Sequence, residues 1–180
     1  FYYICYDNEA YGNTGMQLSP ATPYGARTAT SPCSLQHPSG ASQEKKDIFE
    51  IWRAHKPPYS ATVAPRYPLD LEEEFARAAA FTGPKMFLML AACPTGWLYD
   101  PGKTPEVAKL AVETGLWPLK EAINGVVTHT YVPKRKPVEA YLKLQGRFRH
   151  LFEPTVQTEA IQHIQARVDA YWERATREGS

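Results

Sequence analysis

The chain opens with the run FYYICY at residues 1–6, followed directly by the polar stretch DNEAYGNTG at residues 7–15. A short apolar run that stops at Asp and Asn is typical of a buried strand that ends in a turn. In open α/β sheets, ligands bind just beyond the carboxyl ends of the strands. The sequence therefore predicts an α/β protein whose first strand delivers the polar groups of residues 7–15 to a ligand site.

The composition of the chain limits the classes of protein to which it can belong. The chain has 180 residues, of which 43% are hydrophobic and 22% charged, and its net charge of +1 gives no field that would attract nucleic acid or an anionic membrane. No apolar run approaches the roughly 18 residues of a transmembrane helix. Three cysteines form an odd and sparse set, which fits a reducing compartment better than a disulfide framework. We therefore expect a cytoplasmic protein with no nucleic-acid partner and no membrane span.

Apolar runs alternate with amphipathic segments over the first 125 residues. The predicted strands are 1–6, 59–64, 85–92 and 117–123, and the predicted helices are 45–55, 69–81 and 104–114. The run at 85–92 has no polar face, as expected for a parallel strand buried on both sides. The connection at 7–43 is too long for a simple loop and is of the kind that usually carries function. We predict a mostly parallel sheet with helices on both faces.

The character of the chain changes after residue 125. The segment is basic at residues 134–136, and its apolar residues predict helices over 137–151 and 155–177. We therefore divide the chain into a ligand-binding part at 1–125 and a basic, helical tail at 126–180. We expect the apolar faces of this tail to dock on another subunit.

The stretch after the first predicted strand offers neutral oxygen donors. Asn8, the carbonyl of Ala10 and Asn13 lie within six residues. Mg²⁺ takes about six oxygens and usually receives some from protein and others from phosphate and water. An alternative is purely local, because Asp7 and Asn8 can also form Asx-turns that close the strand.

Several separate motifs, in order, closely resemble the β subunit of pyruvate:ferredoxin oxidoreductase and related 2-oxoacid:acceptor oxidoreductases. They are DNEAYGNTGMQ (7–17), SPATPYGA (19–26), TATSP (28–32), AH (54–55), YSAT (59–62), CPTGW (93–97) and LAVETGLWPL (110–119). The resemblance covers residues 1–125. It implies a thiamine-diphosphate-binding α/β fold, of which this chain is the C-terminal part plus a helical tail.

The resemblance also assigns residues to the cofactor. Asn8 would bind Mg²⁺ through its side chain and Ala10 through its main-chain carbonyl. Asn13 matches the position that faces the thiazolium ring and the substrate carbonyl, and an amide there can donate to a developing oxyanion without adding charge. Asp7, Tyr11 and Thr14 would complete the segment that binds thiamine diphosphate.

Cys93 lies at the end of the predicted strand 85–92. Judged alone, a cysteine there is most often a small buried hydrophobic residue. The resemblance instead makes it a ligand of a [4Fe–4S] cluster next to the thiamine. Such a cluster needs four thiolates, so the other three would come from sequence absent here. We expect Cys5 and Cys33 to be structural.

The implied activity is the thiamine-dependent oxidative decarboxylation of a 2-oxoacid, with pyruvate as the default, to an acyl-CoA. Electrons would pass through [4Fe–4S] clusters to ferredoxin or a similar acceptor. The family's Gly-Asp-Gly motif lies upstream of the matched segment and is absent, and a second subunit completes the active site, so 180 residues alone are expected to be inactive. The alternatives are a non-catalytic scaffold within a complex and a thiamine-dependent non-oxidative decarboxylase.

Overall fold

The computed structural model describes residues 1–34 and 38–178. Its strands are β1 (Tyr2–Asp7), β2 (Tyr59–Val63), β3 (Lys85–Leu90), β4 (Leu119–Ile123) and β5 (Val126–Tyr131). Its α-helices are α1 (Ile48–Ala54), α2 (Pro68–Ala79), α3 (Pro94–Trp97), α4 (Thr104–Glu113), α5 (Glu139–Leu142) and α6 (Thr158–Glu178). Two 3₁₀ segments span Pro101–Lys103 and Gly146–Leu151. Residues 35–37 of the predicted connection 7–43 lie outside the described residues.

The five strands form one sheet in the order β1-β3-β2-β4-β5. Strands β1, β3 and β2 are parallel, whereas β4 is antiparallel to β2 and β5 is antiparallel to β4. The predicted α/β class is confirmed, and the parallel strands are those that the sequence identified first. The carboxyl ends of β1 and β3 therefore meet at one edge, where the site was expected.

The strand β5 was missed because its sequence was assigned to the tail. Asn124 and Gly125 both have positive φ, at 49° and 86°. Two successive residues of this kind make the turn that joins hairpin strands, and Asn-Gly is its preferred sequence. The pair thus reverses the chain into β5 instead of ending the sheet.

Both faces of the sheet are covered, as predicted. On one face α2 packs against a cluster that includes Tyr59 and Phe87. On the other face a larger core contains residues of α4 together with Leu142, Phe148 and Trp172 from the C-terminal segment. The apolar residues of the predicted tail are therefore buried in this chain's own core. Docking of the tail on another subunit stays a prediction for whatever surface remains exposed.

The predicted helix over 137–151 is interrupted. Helix α5 ends at Leu142, and the chain becomes extended at Gln145 before the 3₁₀ segment. The N–H of Gly146 donates to the carbonyl of Leu98 at 2.9 Å, and a Cβ on Gly146 would lie 2.7 Å from the Leu98 Cβ. This close approach pulls the backbone out of the helix, and it brings the 3₁₀ segment to the sheet edge where β1 and β3 end. Within the described residues, no helix is long and apolar enough to cross a membrane.

Candidate functional site

Two loops meet at the carboxyl edge of the parallel strands. We call residues 8–17, which follow β1, the β1 loop, and residues 93–98, which follow β3, the Cys93 turn. The two strands are adjacent, with Asp7 opposite Leu90, and the N–H of Ala91 donates to the Asp7 carbonyl at 3.0 Å. Each loop therefore starts from the same level of the sheet.

The β1 loop is a closed hairpin-like structure. Tyr11 and Gln17 exchange two main-chain hydrogen bonds of 3.1 and 3.2 Å, which close its base. Within it, the side chains of Tyr11, Asn13 and Thr14 are exposed, and Asn8 and Ala10 are half-buried. The loop thus presents its predicted donors on an accessible rim.

The Asx-turn alternative is confirmed as local structure. The N–H of Glu9 donates to Asp7 Oδ1 at 2.9 Å, and the N–H of Ala10 donates to Asn8 Oδ1 at 3.2 Å. An amide oxygen has two lone pairs, so Asn8 Oδ1 keeps one direction for a further partner. The turns therefore shape the loop and still leave the Asn8 side-chain oxygen able to bind a metal ion.

Below the rim lies an ionic cluster, in which the half-buried Lys45 joins the buried Asp7, Glu9 and Arg147. The Lys45 ammonium is 2.7 Å from both Asp7 Oδ2 and Glu9 Oε1, and Arg147 Nη2 is 2.6 Å from Glu9 Oε2. Burial opposes the charge on Glu9, but Lys45 and Arg147 outweigh it and lower the pKa of Glu9. Burial likewise opposes the charge on Lys45, but Glu9 and Asp7 prevail and raise the pKa of Lys45.

The ionic cluster also contacts the Cys93 turn. The Arg147 guanidinium lies 3.9 Å above the Trp97 ring, and the Trp97 indole N–H donates to the Asn8 carbonyl at 2.9 Å. A Cβ on Gly96 would lie 1.9 Å from Met16 Cε, so the Met16 side chain packs in the space that glycine leaves open on the Cys93 turn. The two loops therefore form one packed unit.

Cys93 is the N-cap of α3, and its Sγ accepts a hydrogen bond of 3.4 Å from the Gly96 N–H. The side chain is half-buried at the edge of the site, and the thiol is free. Among residues 1–34 and 38–178, no three His, Cys, Asp or Glu residues are grouped as metal ligands. Within the described residues, Cys93 is therefore not part of a group that could hold a metal ion by itself.

The other two cysteines are also free and half-buried, with Cys5 on β1 and Cys33 in the connection after the β1 loop. Burial raises the pKa of both thiols. A raised pKa disfavours the reactive thiolate form, and the structural role of the pair stays a prediction.

The structure brings most of the predicted site residues together on one loop but places one of them differently. Asn8, Ala10, Tyr11, Asn13 and Thr14 share the rim, whereas the Asp7 carboxylate lies inside, bound to Lys45 and to a main-chain N–H. Asp7 therefore orients the loop from below instead of lining its exposed face.

Sequence reasoning missed four residues that hold this arrangement together: Glu9, Lys45, Trp97 and Arg147. An acidic residue between Asn8 and Ala10 was a visible signal for Glu9. No sequence signal pointed to Arg147, because this residue lies 138 positions from Glu9, in the segment assigned to the tail.

Comparison with known proteins first gives the class of domain. Residues 1–88 match the family described as thiamine pyrophosphate enzyme, C-terminal TPP binding domain. This match includes β1, the β1 loop with its predicted oxygen donors, Lys45 and most of β3.

Relatives then give the family. Pyruvate synthase subunit PorB of Methanocaldococcus jannaschii is 48% identical over 168 residues, which are 93% of this chain and 54% of the relative. The PorB subunit of Pyrococcus furiosus is 41% identical over 189 residues, covering 94% of this chain and 56% of the relative. Ketoisovalerate oxidoreductase subunit VorB of Pyrococcus abyssi is 42% identical over 175 residues, covering 96% and 54%.

The chain therefore belongs to the family of 2-oxoacid oxidoreductase β subunits that its motifs resemble. It spans about half the length of the curated relatives it matches. A solved 2-oxoglutarate:ferredoxin oxidoreductase from Magnetococcus marinus aligns over 60% of this chain and 42% of the solved chain. The TM-score is 0.43 and the identity 19%, and so loose a similarity places no residue.

Proposed function

We propose that this chain is the C-terminal part of a thiamine-diphosphate-binding subunit that oxidatively decarboxylates a 2-oxoacid to an acyl-CoA. The observation that carries the proposal is the contact between the β1 loop and the Cys93 turn. It places the half-buried oxygen donors of Asn8 and Ala10 and a free thiol on one packed unit, joined by the hydrogen bond between Trp97 and Asn8. A cofactor held by one loop would then lie close to an electron acceptor held by the other.

The β1 loop fits a magnesium diphosphate. Asn8 Oδ1 and the Ala10 carbonyl are neutral oxygens on the accessible rim, and Mg²⁺ accepts such ligands alongside phosphate and water. Gly12 leaves room for the Asn8 side chain, because a Cβ there would lie 2.7 Å from Asn8 Nδ2. We assign Asn8 and Ala10 to Mg²⁺, and Asp7, Tyr11 and Thr14 to the shape and surface of the cofactor loop.

When bound, thiamine diphosphate supplies the nucleophilic carbon and the electron sink for decarboxylation. The part of this chain is to orient and stabilise. Asn13 is exposed on the loop, where its amide can donate to the oxygen of the substrate keto group as negative charge develops there. We assign Asn13 as the catalytic residue of this chain.

Cys93 fits one ligand of an iron–sulfur cluster. Its half-buried position at the site edge suits a thiolate that is shielded from water but open to one side. A [4Fe–4S] cluster needs four thiolates, so we assign the remaining three to the part of the subunit that corresponds to the other half of the relatives. Electrons would leave through such clusters to ferredoxin or a similar acceptor.

Substrate and partners follow the relatives. Pyruvate is the default substrate, because curated relatives named pyruvate synthase subunit PorB match this chain at 40–50% identity. A branched-chain 2-oxoacid is the second candidate, because a ketoisovalerate oxidoreductase subunit matches at 42%. We expect other subunits of the complex, CoA and a cytoplasmic location.

The test uses the full-length subunit assembled with its partner subunits under anaerobic conditions. We would measure reduction of a low-potential dye with pyruvate and with 2-oxoisovalerate, with and without CoA, thiamine diphosphate and Mg²⁺. The variant Asn8→Leu removes the side-chain ligand, and Gln162→Leu makes a matched amide-to-leucine change on the exposed surface of α6.

We expect dye reduction that depends on one 2-oxoacid, on CoA and on the cofactor, lost in Asn8→Leu and kept in Gln162→Leu. Decarboxylation without dye reduction would replace the proposal with a non-oxidative decarboxylase. An assembled complex that binds neither thiamine nor iron, and behaves identically in both variants, would replace it with a scaffold.

A further inference from the structure

We propose that Glu9 and Arg147 are a positioning pair that sets the β1 loop against the Cys93 turn, and that their contact controls the affinity for thiamine diphosphate with Mg²⁺. This inference rests on the proposed function, in which Asn8 and Ala10 hold the metal. Neither Glu9 nor Arg147 is assigned a contact with the cofactor.

Glu9 is fixed at every polar group. Its N–H donates to Asp7 Oδ1 at 2.9 Å, and its carbonyl accepts from Thr22 Oγ1 at 2.7 Å. Its two carboxylate oxygens are held separately, Oε1 by Lys45 and Oε2 by Arg147. Since Glu9 lies between Asn8 and Ala10 in the chain, fixing it fixes the direction of both rim donors.

The backbone of Glu9 has a conformation that does not favour a residue with a side chain. Its φ is +62°, a left-handed conformation that glycine adopts more easily than a residue with a Cβ. The side chain is only 6% exposed, so it adds nothing to solubility. At this position the glutamate side chain stabilises the loop through the ion pairs that it makes with Lys45 and Arg147.

Arg147 is held as firmly as Glu9. It is 3% exposed, its Nε donates to Gln145 Oε1 at 2.8 Å, and its Nη2 lies 3.3 Å from the Tyr141 hydroxyl. The guanidinium plane packs on the Trp97 ring while Nη2 reaches Glu9. One side chain therefore contacts the loop that carries the oxygen donors and the turn that carries the thiol.

We expect the buried pair of Glu9 and Arg147 to contribute more to the geometry of the two loops than to the free energy of unfolding. Replacing a buried ion pair with apolar groups of similar size is often neutral for folding, whereas removing one partner is strongly destabilising. A planar guanidinium can pair with a carboxylate through its N–H edge while its face lies on a ring, whereas a lysine ammonium is a compact point charge with no plane to stack. Arg147 is therefore suited to define the distance between the two loops.

The test compares variants of the full-length subunit in its assembled complex. The double variant Glu9→Gln/Arg147→Met removes both charges together, and Arg147→Lys keeps the charge but not the stacked plane. Arg135→Met is the matched control, because Arg135 forms an exposed pair with Asp169 at 3.3 Å. Thiamine diphosphate with Mg²⁺ is titrated into the cofactor-depleted complexes by calorimetry, and each melting temperature is recorded.

We expect the double variant to assemble and melt within a few degrees of wild type, but to bind the cofactor about tenfold more weakly, as found for residues that orient metal ligands. Arg147→Lys should also weaken binding, and Arg135→Met should not. Wild-type affinity in both site variants would overturn the inference. If the double variant fails to assemble, Arg147→Lys decides alone. Wild-type complex that binds no cofactor would instead refute the proposed function.

Discussion

The indole N–H of Trp97 donates a hydrogen bond of 2.9 Å to the main-chain carbonyl of Asn8, although the two residues are 89 positions apart. The acceptor belongs to the residue whose side chain we assign to Mg²⁺. The donor belongs to the short helix that Cys93 caps. This bond joins the two candidate cofactor sites through protein atoms alone.

Removing that bond should weaken cofactor binding more than it weakens the fold. The variant Trp97→Phe loses the N–H but keeps a ring beneath Arg147. A hydrogen bond is worth about 1 kcal/mol net, so we expect the affinity for thiamine diphosphate with Mg²⁺ to fall about fivefold in the assembled complex. Calorimetric titration measures this change.

Trp172→Phe is the control for that experiment. It removes a similar bond, in which the Trp172 indole N–H donates to the Gly115 carbonyl at 3.1 Å, at a distance from the β1 loop. We expect it to lower the melting temperature while leaving cofactor affinity unchanged. Equal losses of affinity in both variants would show that the Trp97 bond acts only through overall stability.

Exchanging the thiol of Cys93 should separate iron binding from folding. In Cys93→Ser the hydroxyl can still accept from the Gly96 N–H, because serine is a strong N-cap. We therefore expect the complex to assemble and bind thiamine diphosphate, but to lose one iron–sulfur cluster by iron analysis and by its electron paramagnetic resonance signal. Cys33→Ser should keep both the bound thiamine diphosphate and the full iron content. Full iron content in Cys93→Ser would remove Cys93 from the set of ligands.

A buried carboxylic acid on the opposite face of the sheet predicts a pH effect on stability. Glu74 of α2 is fully buried, its Oε1 lies 3.4 Å from Thr130 Oγ1, and within the described residues its Oε2 has no hydrogen-bond partner. Burial, together with the carboxylates of Asp70 and Glu121, raises the pKa of Glu74 to about 9. The folded protein therefore keeps this proton at neutral pH.

The direction in which pH changes the free energy of unfolding follows from the raised pKa of Glu74. Above the ordinary value of 4.5 the unfolded chain releases the proton while the folded protein retains it, so the free energy of unfolding falls until the pH reaches about 9. The contribution is up to about 1.4 kcal/mol per pH unit. Urea unfolding of the purified protein at pH 5, 7 and 9 measures it. We expect Glu74→Gln to flatten the fall and the exposed Glu73→Gln to leave it unchanged, and parallel curves for Glu74→Gln and wild type would contradict the assignment.

Much of the fold was predictable because its signals are local. The run at residues 86–92 is apolar without interruption, and β3 is buried there as a parallel strand is expected to be. Strand β5 was not predicted because residues 126–180 were assigned to a helical tail, whereas Asn124-Gly125 makes a hairpin turn that continues the sheet. The interruption after α5 was missed because the approach of Gly146 to Leu98 depends on residues 48 positions away, which no periodicity records.

By itself the sequence determined the class of fold, the family and the place of the candidate site, because each depends on short-range patterns: an apolar strand, the loop that follows it, and the motif around Cys93. Only the tertiary structure decided what holds that site in place. Glu9 and Lys45 gained their roles from each other's proximity, and Arg147 became part of the site because the C-terminal segment folds back into the core of the same sheet. Such partners are selected by packing in three dimensions, where residues 138 positions apart can lie 2.6 Å from one another.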